Sequence, residues 1–270
     1  MADALRQDEG WRSVEAYRPL LDADASAWAW EFARRATAAD GSVGRAPPDL
    51  CFAGAGPASS PVPAAMWRFE TDPSMPVFLH APARGGETDA IDIRRLPLAT
   101  VVVSNAAGTH QVMVADGVRR LRFAVIGGDV LGGAIRLLYP LPAKGKGGAG
   151  LDGVRRLLAL RDTGRLPAAA AGVRGRPLRW LAALRAFDAR QRGASQREIA
   201  CLLFGAARVS EDWTSQSAYM RMRIQRLVRS SQHLVAGGYR RVFGLLPAGP
   251  IGAAAITVWR SPAWAAATCP

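Results

Sequence analysis

The spacing of apolar residues changes from strand-like to helical near residue 150, and this change constrains the fold more than any other feature. Between about Met66 and Pro140, apolar residues form short β-branched runs that turn dipeptides such as Asp116-Gly117 separate. Such runs are typical of strands in a sheet with a buried face. From Leu151 onward, apolar residues recur every three or four positions, which is the spacing of amphipathic helices. The pattern predicts an α+β fold with an N-terminal helical module, a small central antiparallel sheet and a C-terminal all-α domain.

Composition and turn signals place the boundaries between segments. Gly, Pro, Ala and Ser are dense between Gly41 and Pro63, which favours a linker there. The predicted segments are a Trp-rich helical module at 1–45, a linker at 46–63, a β-rich domain at 64–143, a connector with a helix at 144–176, an all-α domain at 177–243 and a C-terminal tail at 244–270. Strands are predicted at 90–93, 100–104, 111–114, 120–126 and 135–139. Ser26 is predicted to cap a helix in the first segment.

Positive charge is concentrated in the second half of the sequence. The formal net charge is +13, yet residues 1–150 hold 16 basic and 16 acidic residues. Residues 151–270 hold 19 basic and 6 acidic residues and therefore carry the whole excess. A basic segment attached to a neutral one predicts a polyanionic partner, such as nucleic acid, for that segment. The alternative is GC-rich coding, which explains Arg in place of Lys but not the scarcity of acid after residue 150.

The residues that usually carry catalytic or metal chemistry are scattered. The three cysteines form no CxxC pair, and the three histidines have no HExxH spacing. The loop Gly145–Gly150 matches GxGxxG, but prolines separate it from the preceding strand, so a flexible linker is favoured over a nucleotide site. The sequence predicts no enzyme activity, no cofactor and no metal. The polar N-terminus and the broken apolar segments predict a cytoplasmic protein without a membrane span.

A capping-box sequence marks the start of a short helix at Ser195. Ser195 and Glu198 have the spacing at which each side chain accepts the backbone N–H of the other residue. Apolar residues follow at helical spacing, and Gly205 ends the helix. This arrangement is typical of the first helix of a helix-turn-helix. Because the connection Gly205–Asp212 is longer than the usual turn, we expect a variant helix-turn-helix DNA-binding domain at 177–243.

The long helix predicted at about 211–235 has one apolar and one basic face. When Ile224 faces the core, Met220 and Leu227 fall on the same side. The stretch Tyr219–Arg229 contains four arginines and no acid, whereas an ordinary solvated helix mixes both signs. Arg, Gln and Ser side chains suit phosphates and base edges, so this helix is predicted to read double-stranded DNA. The alternative is an amphipathic bundle helix with its arginines in water.

The predicted DNA contacts lie on this helix and on basic neighbours. They are Arg197, Ser215, Gln216, Tyr219, Arg221, Arg223, Arg226, Arg229, Arg240 and Arg241. Among them, Arg197, Arg240 and Arg241 are assigned to phosphates, which position a protein without reading sequence. The neutral first 150 residues are predicted to serve oligomerisation or contact with RNA polymerase or another regulator.

Both ends of the chain resemble a known regulator family. The stretches RWLAALRAFDARQRGASQREIACLLFG (Arg179–Gly205) and RLVRSSQHLVAGGYRRVF (Arg226–Phe243) resemble a domain of proteobacterial transcriptional regulators of integrative and conjugative elements. The stretch WRSVEAYRPLLDADASAWAWEFARR (Trp11–Arg35) is similar to the small module that often precedes that domain. The resemblance implies a variant helix-turn-helix whose DNA-reading helix corresponds to about Glu211–Val235. It also implies a homo-oligomeric activator of excision or transfer genes; since shorter relatives are antiactivators that bind other regulators, a protein-interaction adaptor is the alternative.

Overall fold

Strands fill the middle of the chain and helices dominate the described region after residue 147, as the change in apolar spacing predicts. The computed structural model describes residues 11, 13–39, 46–57, 60, 62–84, 87–141, 148–170, 177–213, 219–247 and 256–265. The fold is α+β, which confirms the predicted class. Among the described residues, no helix is long and apolar enough to cross a membrane.

The helices and strands follow one another along the chain with these bounds. A 3-10 helix at Glu15–Asp22 precedes α1 (Ala25–Ala39), and another at Ile93–Arg95 precedes β4. The strands are β1 (Leu50–Gly54), β2 (Ala64–Trp67), β3 (Val77–Pro82), β4 (Ala99–Asn105), β5 (Thr109–Asp116), β6 (Arg119–Ile126), β7 (Ile135–Leu138) and β8 (Ile256–Arg260). The later helices are α2 (Gly148–Thr163), α3 (Pro177–Gln191), α4 (Gln196–Phe204), α5 (Ala206–Asp212), α6 (Tyr219–His233), α7 (Tyr239–Phe243) and α8 (Pro262–Ala265), with a π-helical segment at Leu234–Gly238.

Two compact units divide the chain. The helical unit comprises Met1–Asp22, Glu31–Arg45 and Arg174–Tyr239. The sheet unit comprises Ala23–Trp30, Ala46–Val173 and Arg240–Pro270. Each unit is therefore assembled from stretches that are far apart in sequence.

The sheet unit is built on six strands in the order β7-β3-β6-β5-β4-β8. All neighbouring pairs are antiparallel except β3 and β6, which run parallel. On one face, Leu157 and Leu160 of α2 belong to the same core as Phe123 of β6. On the other face, Val101 and Met113 pack with residues from the separate β1–β2 hairpin. Because both faces of the sheet are covered, the central strands carry apolar side chains on both faces. They therefore do not show the alternation of apolar and polar residues that is typical of a sheet with one buried face.

Four strands of the structure, β1, β2, β3 and β8, are not among the strands predicted from the sequence. β8 lies in the segment expected as a C-terminal tail, and it pairs with β4 at the sheet edge, where Val258 faces Val103. β1 lies within the segment 46–63, for which a linker is predicted, and it pairs with β2. β3 also goes unpredicted. The strand predicted at 90–93 is reduced to a single bridge at Ile91, because the chain turns there into the short 3-10 helix.

The start of α1 differs from the prediction by two residues. The carboxylate of Asp24, not the hydroxyl of Ser26, accepts the backbone N–H of Ala27 at 2.9 Å. The same carboxylate lies 2.7 Å from Arg122 on β6. That arginine holds the pKa of Asp24 below its usual range even though burial opposes the shift. Asp24 caps the helix because its carboxylate accepts the N–H of Ala27 in the first turn and at the same time binds the guanidinium of Arg122.

The helical unit packs around α3, which is buried on nearly every side. Its core brings together Ile199 of α4, Val209 of α5 and Ile224 of α6, all fully buried. Trp11, from the N-terminal stretch, belongs to the same core. The first three residues of the GxGxxG motif, 145–147, lie outside the described residues, and its last three, 148–150, form the first turn of α2.

Candidate nucleic-acid interface

The capping box predicted at the start of α4 is present. The Ser195 hydroxyl accepts the Glu198 amide at 3.2 Å, and the Glu198 carboxylate accepts the Ser195 amide at 2.8 Å. Two otherwise unsatisfied amides of the first turn are thereby bound, which fixes where α4 begins. Ile199 and Ala200 face the core, and Arg197 points to solvent at the same helix start.

The connection after α4 is a helix and not an extended turn. Gly205 ends α4 with φ +87° and directly precedes α5. Only a residue without a side chain adopts this backbone conformation at low cost, so Gly205 permits two helices to follow each other without a linker. The connection Gly205–Asp212, which the sequence predicts to be longer than the usual turn, thus contains the helix α5. Val209 is fully buried in the core, while the neighbouring Arg208 is exposed.

The inner face of α6 matches the prediction made from Ile224. Ile224 is fully buried, and Met220 is 3% exposed one turn earlier. Leu227 and Val228 pack partly buried against the same core. This face fixes the rotation of α6, so the positions opposite Ile224 must point to solvent.

The outer face of α6 carries the predicted contact residues. Tyr219 and Met222 are 60% and 43% exposed. Arg221, Arg223, Arg226 and Arg229 are all exposed. With a rise of about 1.5 Å per residue, the face from Tyr219 to Arg229 is about 15 Å long, comparable with the width of a DNA major groove. The described helix is shorter than the predicted 211–235, and Ser215 and Gln216 lie outside the described residues.

One arginine of α6 is held by an aromatic ring. The guanidinium of Arg223 lies 4.5 Å from the ring centre of Phe204, the last residue of α4. A cation over an aromatic face is attracted by the ring quadrupole and loses side-chain freedom. Arg223 is consequently pre-positioned beside α4, whereas the other three arginines extend from the open face of α6.

The arginines of α6 differ in their ionic surroundings from many arginines elsewhere in the chain. Arg122, Arg136 and Arg155 each bind a nearby carboxylate. Within the described parts of the chain, no carboxylate pairs with the four arginines of α6, and the sequence contains no acid after Asp212. An arginine-rich face without acidic partners has a positive potential that attracts polyanions.

The two arginines predicted beyond α6 behave differently from each other. Arg240 donates two hydrogen bonds to the fully buried carboxylate of Asp49, at 2.7 and 2.9 Å, and its guanidinium lies 5.9 Å from the Trp67 ring centre. Arg240 therefore has a structural role in the sheet unit, and the structure does not group it with α6. Arg241 is exposed and belongs to the sheet unit as well. Local sequence patterns could not identify the partner of Arg240, because Asp49 lies 191 residues away.

A buried ionic network ties the N-terminal residues to α3 inside the helical unit. Asp188 accepts two hydrogen bonds from Arg35 at 2.7 Å and one from the Tyr17 hydroxyl at 2.6 Å. Arg35 also binds Glu31 at 2.6 Å. Burial, followed by the negative charge of Asp188, raises the pKa of Tyr17, so its hydroxyl stays a donor. The N-terminal residues are thus part of the unit that carries α6.

The sheet unit offers less chemistry. Among the described residues, no three or more His, Cys, Asp or Glu side chains are grouped so as to hold a metal ion. Burial raises the pKa of the Cys51 thiol to about 12, which keeps it protonated and unreactive. Ser104 and His110 are hydrogen-bonded at 2.7 Å across β4 and β5, and the other ring nitrogen of His110 meets the Gly128 carbonyl at 2.9 Å. Both ring nitrogens are therefore occupied within the sheet.

Comparison with known proteins bears on the second half of the chain. Residues 140–243 match a protein family described as "T6SS, Transcription factor, DNA binding domain". This range contains α2 to α7, and thus α6 with its arginine face. No curated protein sequence matches the chain. The chain therefore contains a transcription-factor DNA-binding domain, and DNA is its partner.

Proposed function

We propose that this protein is a transcriptional activator that binds promoter DNA through the outer face of α6. The observation that carries the proposal is the position of this face: four exposed arginines without acidic partners, on a helix inside the region that matches a DNA-binding family. Tyr219 and Met222 add exposed contact area between the arginines. The protein acts as a cytoplasmic regulator and not as an enzyme.

The α6 arginines supply two kinds of contact in this proposal. Arg226 and Arg229, near the middle of the open face, enter the major groove, where arginine can bind guanine in a bidentate manner. Arg223 is held by Phe204, and with Arg197 at the start of α4 it binds phosphates on either side. Together these contacts fix the position of α6 along the duplex.

The target genes and the assembly follow from the resemblances. The likeness to regulators of integrative and conjugative elements supports activation of excision or transfer genes, in a homo-oligomer. The words "T6SS, Transcription factor" in the matched family's description point to a second class of target gene. The sheet unit would contact RNA polymerase or another regulator, since most of its arginines are neutralised by carboxylates.

Genome-wide mapping of bound sites, combined with transcript measurement, tests the proposal. We expect the intact chain to occupy promoters whose transcripts increase when it is produced. The variant with Arg226→Ala and Arg229→Ala should lose this occupancy at equal protein level. Decreased transcripts at the bound promoters would make the protein a repressor. A stoichiometric protein partner without promoter occupancy would favour the adaptor function instead.

A further inference from the structure

The outer face of α6 contains one neutral, exposed amide between two arginines. Gln225 lies one turn after Arg221 and one turn before Arg229, so the three side chains form a line along the helix. All three are exposed. Met222, which is 43% exposed, lies three residues before Gln225 on the adjoining surface. Gln225 is not among the contact residues predicted from the sequence.

The amide of Gln225 has its hydrogen-bonding capacity available. Within the described residues, no protein group hydrogen-bonds to it. Gln111 shows the contrasting structural use of the same side chain, because its oxygen accepts the Phe69 amide at 2.5 Å and its nitrogen donates to Cys51 at 2.6 Å. Gln111 is 5% exposed, whereas Gln225 points to solvent. Gln225 therefore contributes little to the fold beyond helix propensity.

The residue type at 225 is informative because of its neighbours. A glutamate at this position would pair with Arg221 and Arg229 at i,i+4 spacing and would stabilise an ordinary exposed helix. Glutamine keeps the line positive and adds one donor and one acceptor. That pair of groups matches N7 and the N6 amino group of adenine in the major groove.

We propose that Gln225 is a specificity-determining residue that binds an adenine in the major groove, with Met222 against a thymine methyl group beside it. The proposal rests on the proposed DNA-reading function of α6. Arg221 and Arg229 provide affinity on both sides of the amide, and Gln225 provides discrimination between bases. Gln225 lies in the second turn of α6, and the early turns of a recognition helix are those that reach base edges.

The same helix offers a matched control. Gln232 is also exposed and lies on the same flank as Gln225, but it occupies the last turn of α6, beyond Arg229. Gln225→Ala and Gln232→Ala make the same chemical change in the same helix. Only the first should alter base preference.

Selection from a pool of randomised duplexes tests the proposal with the full chain. The wild type should select a site with a preferred adenine, Gln232→Ala should select the same site, and Gln225→Ala should lose the preference at that adenine alone. Loss of a bidentate base contact predicts about five-fold or greater weakening on the selected site. The salt dependence of binding by Gln225→Ala should match that of the wild type, because no charge is removed. Circular dichroism should show equal helicity for all three proteins.

Replacing the preferred adenine by 7-deazaadenine removes the N7 acceptor and tests the contact directly. Wild type and Gln232→Ala should bind the altered duplex several-fold more weakly, while Gln225→Ala should bind both duplexes equally. If the wild type binds duplexes and Gln225→Ala selects the same site as the wild type, the Gln225 contact is refuted and the DNA-binding function stands. If the wild type binds no duplex, the proposed function fails, and the contact fails with it.

Discussion

Replacing Asp188 by alanine should destabilise the helical unit more than any other single truncation of a polar side chain there. Asp188 accepts three hydrogen bonds, two from Arg35 and one from Tyr17, and Arg35 is only 9% exposed. Removing one partner of a buried ion pair usually costs about 3 to 5 kcal/mol, because the other charge is left without compensation. Arg35 keeps its contact with Glu31 at 2.6 Å, so we expect the lower end, about 3 kcal/mol.

Urea denaturation of the full chain, followed by circular dichroism at a helix-sensitive wavelength, measures this loss. The helical unit holds about 100 residues, for which an m-value of about 1.5 kcal/mol/M is reasonable. A loss of about 3 kcal/mol then moves the urea midpoint of the helical transition down by about 2 M. Since the two units need not unfold together, the helical transition is identified as the one that Asp188→Ala shifts.

An exposed ion pair in the same N-terminal stretch provides the control. Glu15 and Arg18 lie 3.3 Å apart, and both side chains are about 70% exposed. Glu15→Ala should change the free energy of unfolding by less than about 0.5 kcal/mol, because exposed pairs contribute little. If Asp188→Ala shifts the midpoint no more than Glu15→Ala does, then the N-terminal residues do not stabilise the unit that carries α6, and the reasoning is refuted.

Three further predictions follow from particular contacts. Ser195→Ala should cost about 1 kcal/mol in the helical transition, as loss of an N-cap usually does, and Ser195→Thr should restore most of it; an unchanged midpoint would contradict the capping role. Burial and the charge of Asp188 raise the pKa of Tyr17, so the contribution of its hydroxyl to folding stability is complete below pH 10 and is lost as the pH rises above that value. The wild type should therefore lose stability at alkaline pH more steeply than Tyr17→Phe. Equal slopes of unfolding free energy against pH for the two proteins would contradict this. Arg240→Ala should lower the stability of the sheet unit by about 3 kcal/mol, since it leaves the buried Asp49 without this partner. The same variant should leave the salt dependence of DNA binding unchanged. A changed salt slope would show that Arg240 contacts DNA.

Local signals in the sequence predict much of the candidate interface. The capping box at Ser195 depends on residues three apart, and the rotation of α6 follows from apolar residues within three turns. Both features are short-range, so one sequence suffices to identify them. The antiparallel strands β4, β5 and β6 are also predicted, because turn residues mark each reversal.

Features that depend on distant partners could not be predicted in this way. β8 is a strand because β4 offers it an open edge, and the two lie more than 150 residues apart. Arg35 and Asp188 are separated by 153 residues, so their sequence context indicates only two ordinary surface charges. The helix α5 goes unpredicted because its short sequence carries little helical periodicity, and the buried Val209 stabilises it through tertiary packing.

The salt dependence of DNA binding tests the central claim most directly. The full chain should bind a duplex containing its selected site, and affinity should fall steeply and linearly on a logarithmic plot as salt rises. The variant with Arg226→Ala and Arg229→Ala should bind more weakly, with a slope smaller by about 2 if both arginines contact phosphate and with relaxed base preference if they contact bases. A variant with Arg94→Ala and Arg95→Ala, which removes the same charge from exposed sites of the sheet unit, should behave as the wild type. Equal weakening by both double variants, or no effect of either, would contradict the assignment of α6 as the helix that reads DNA.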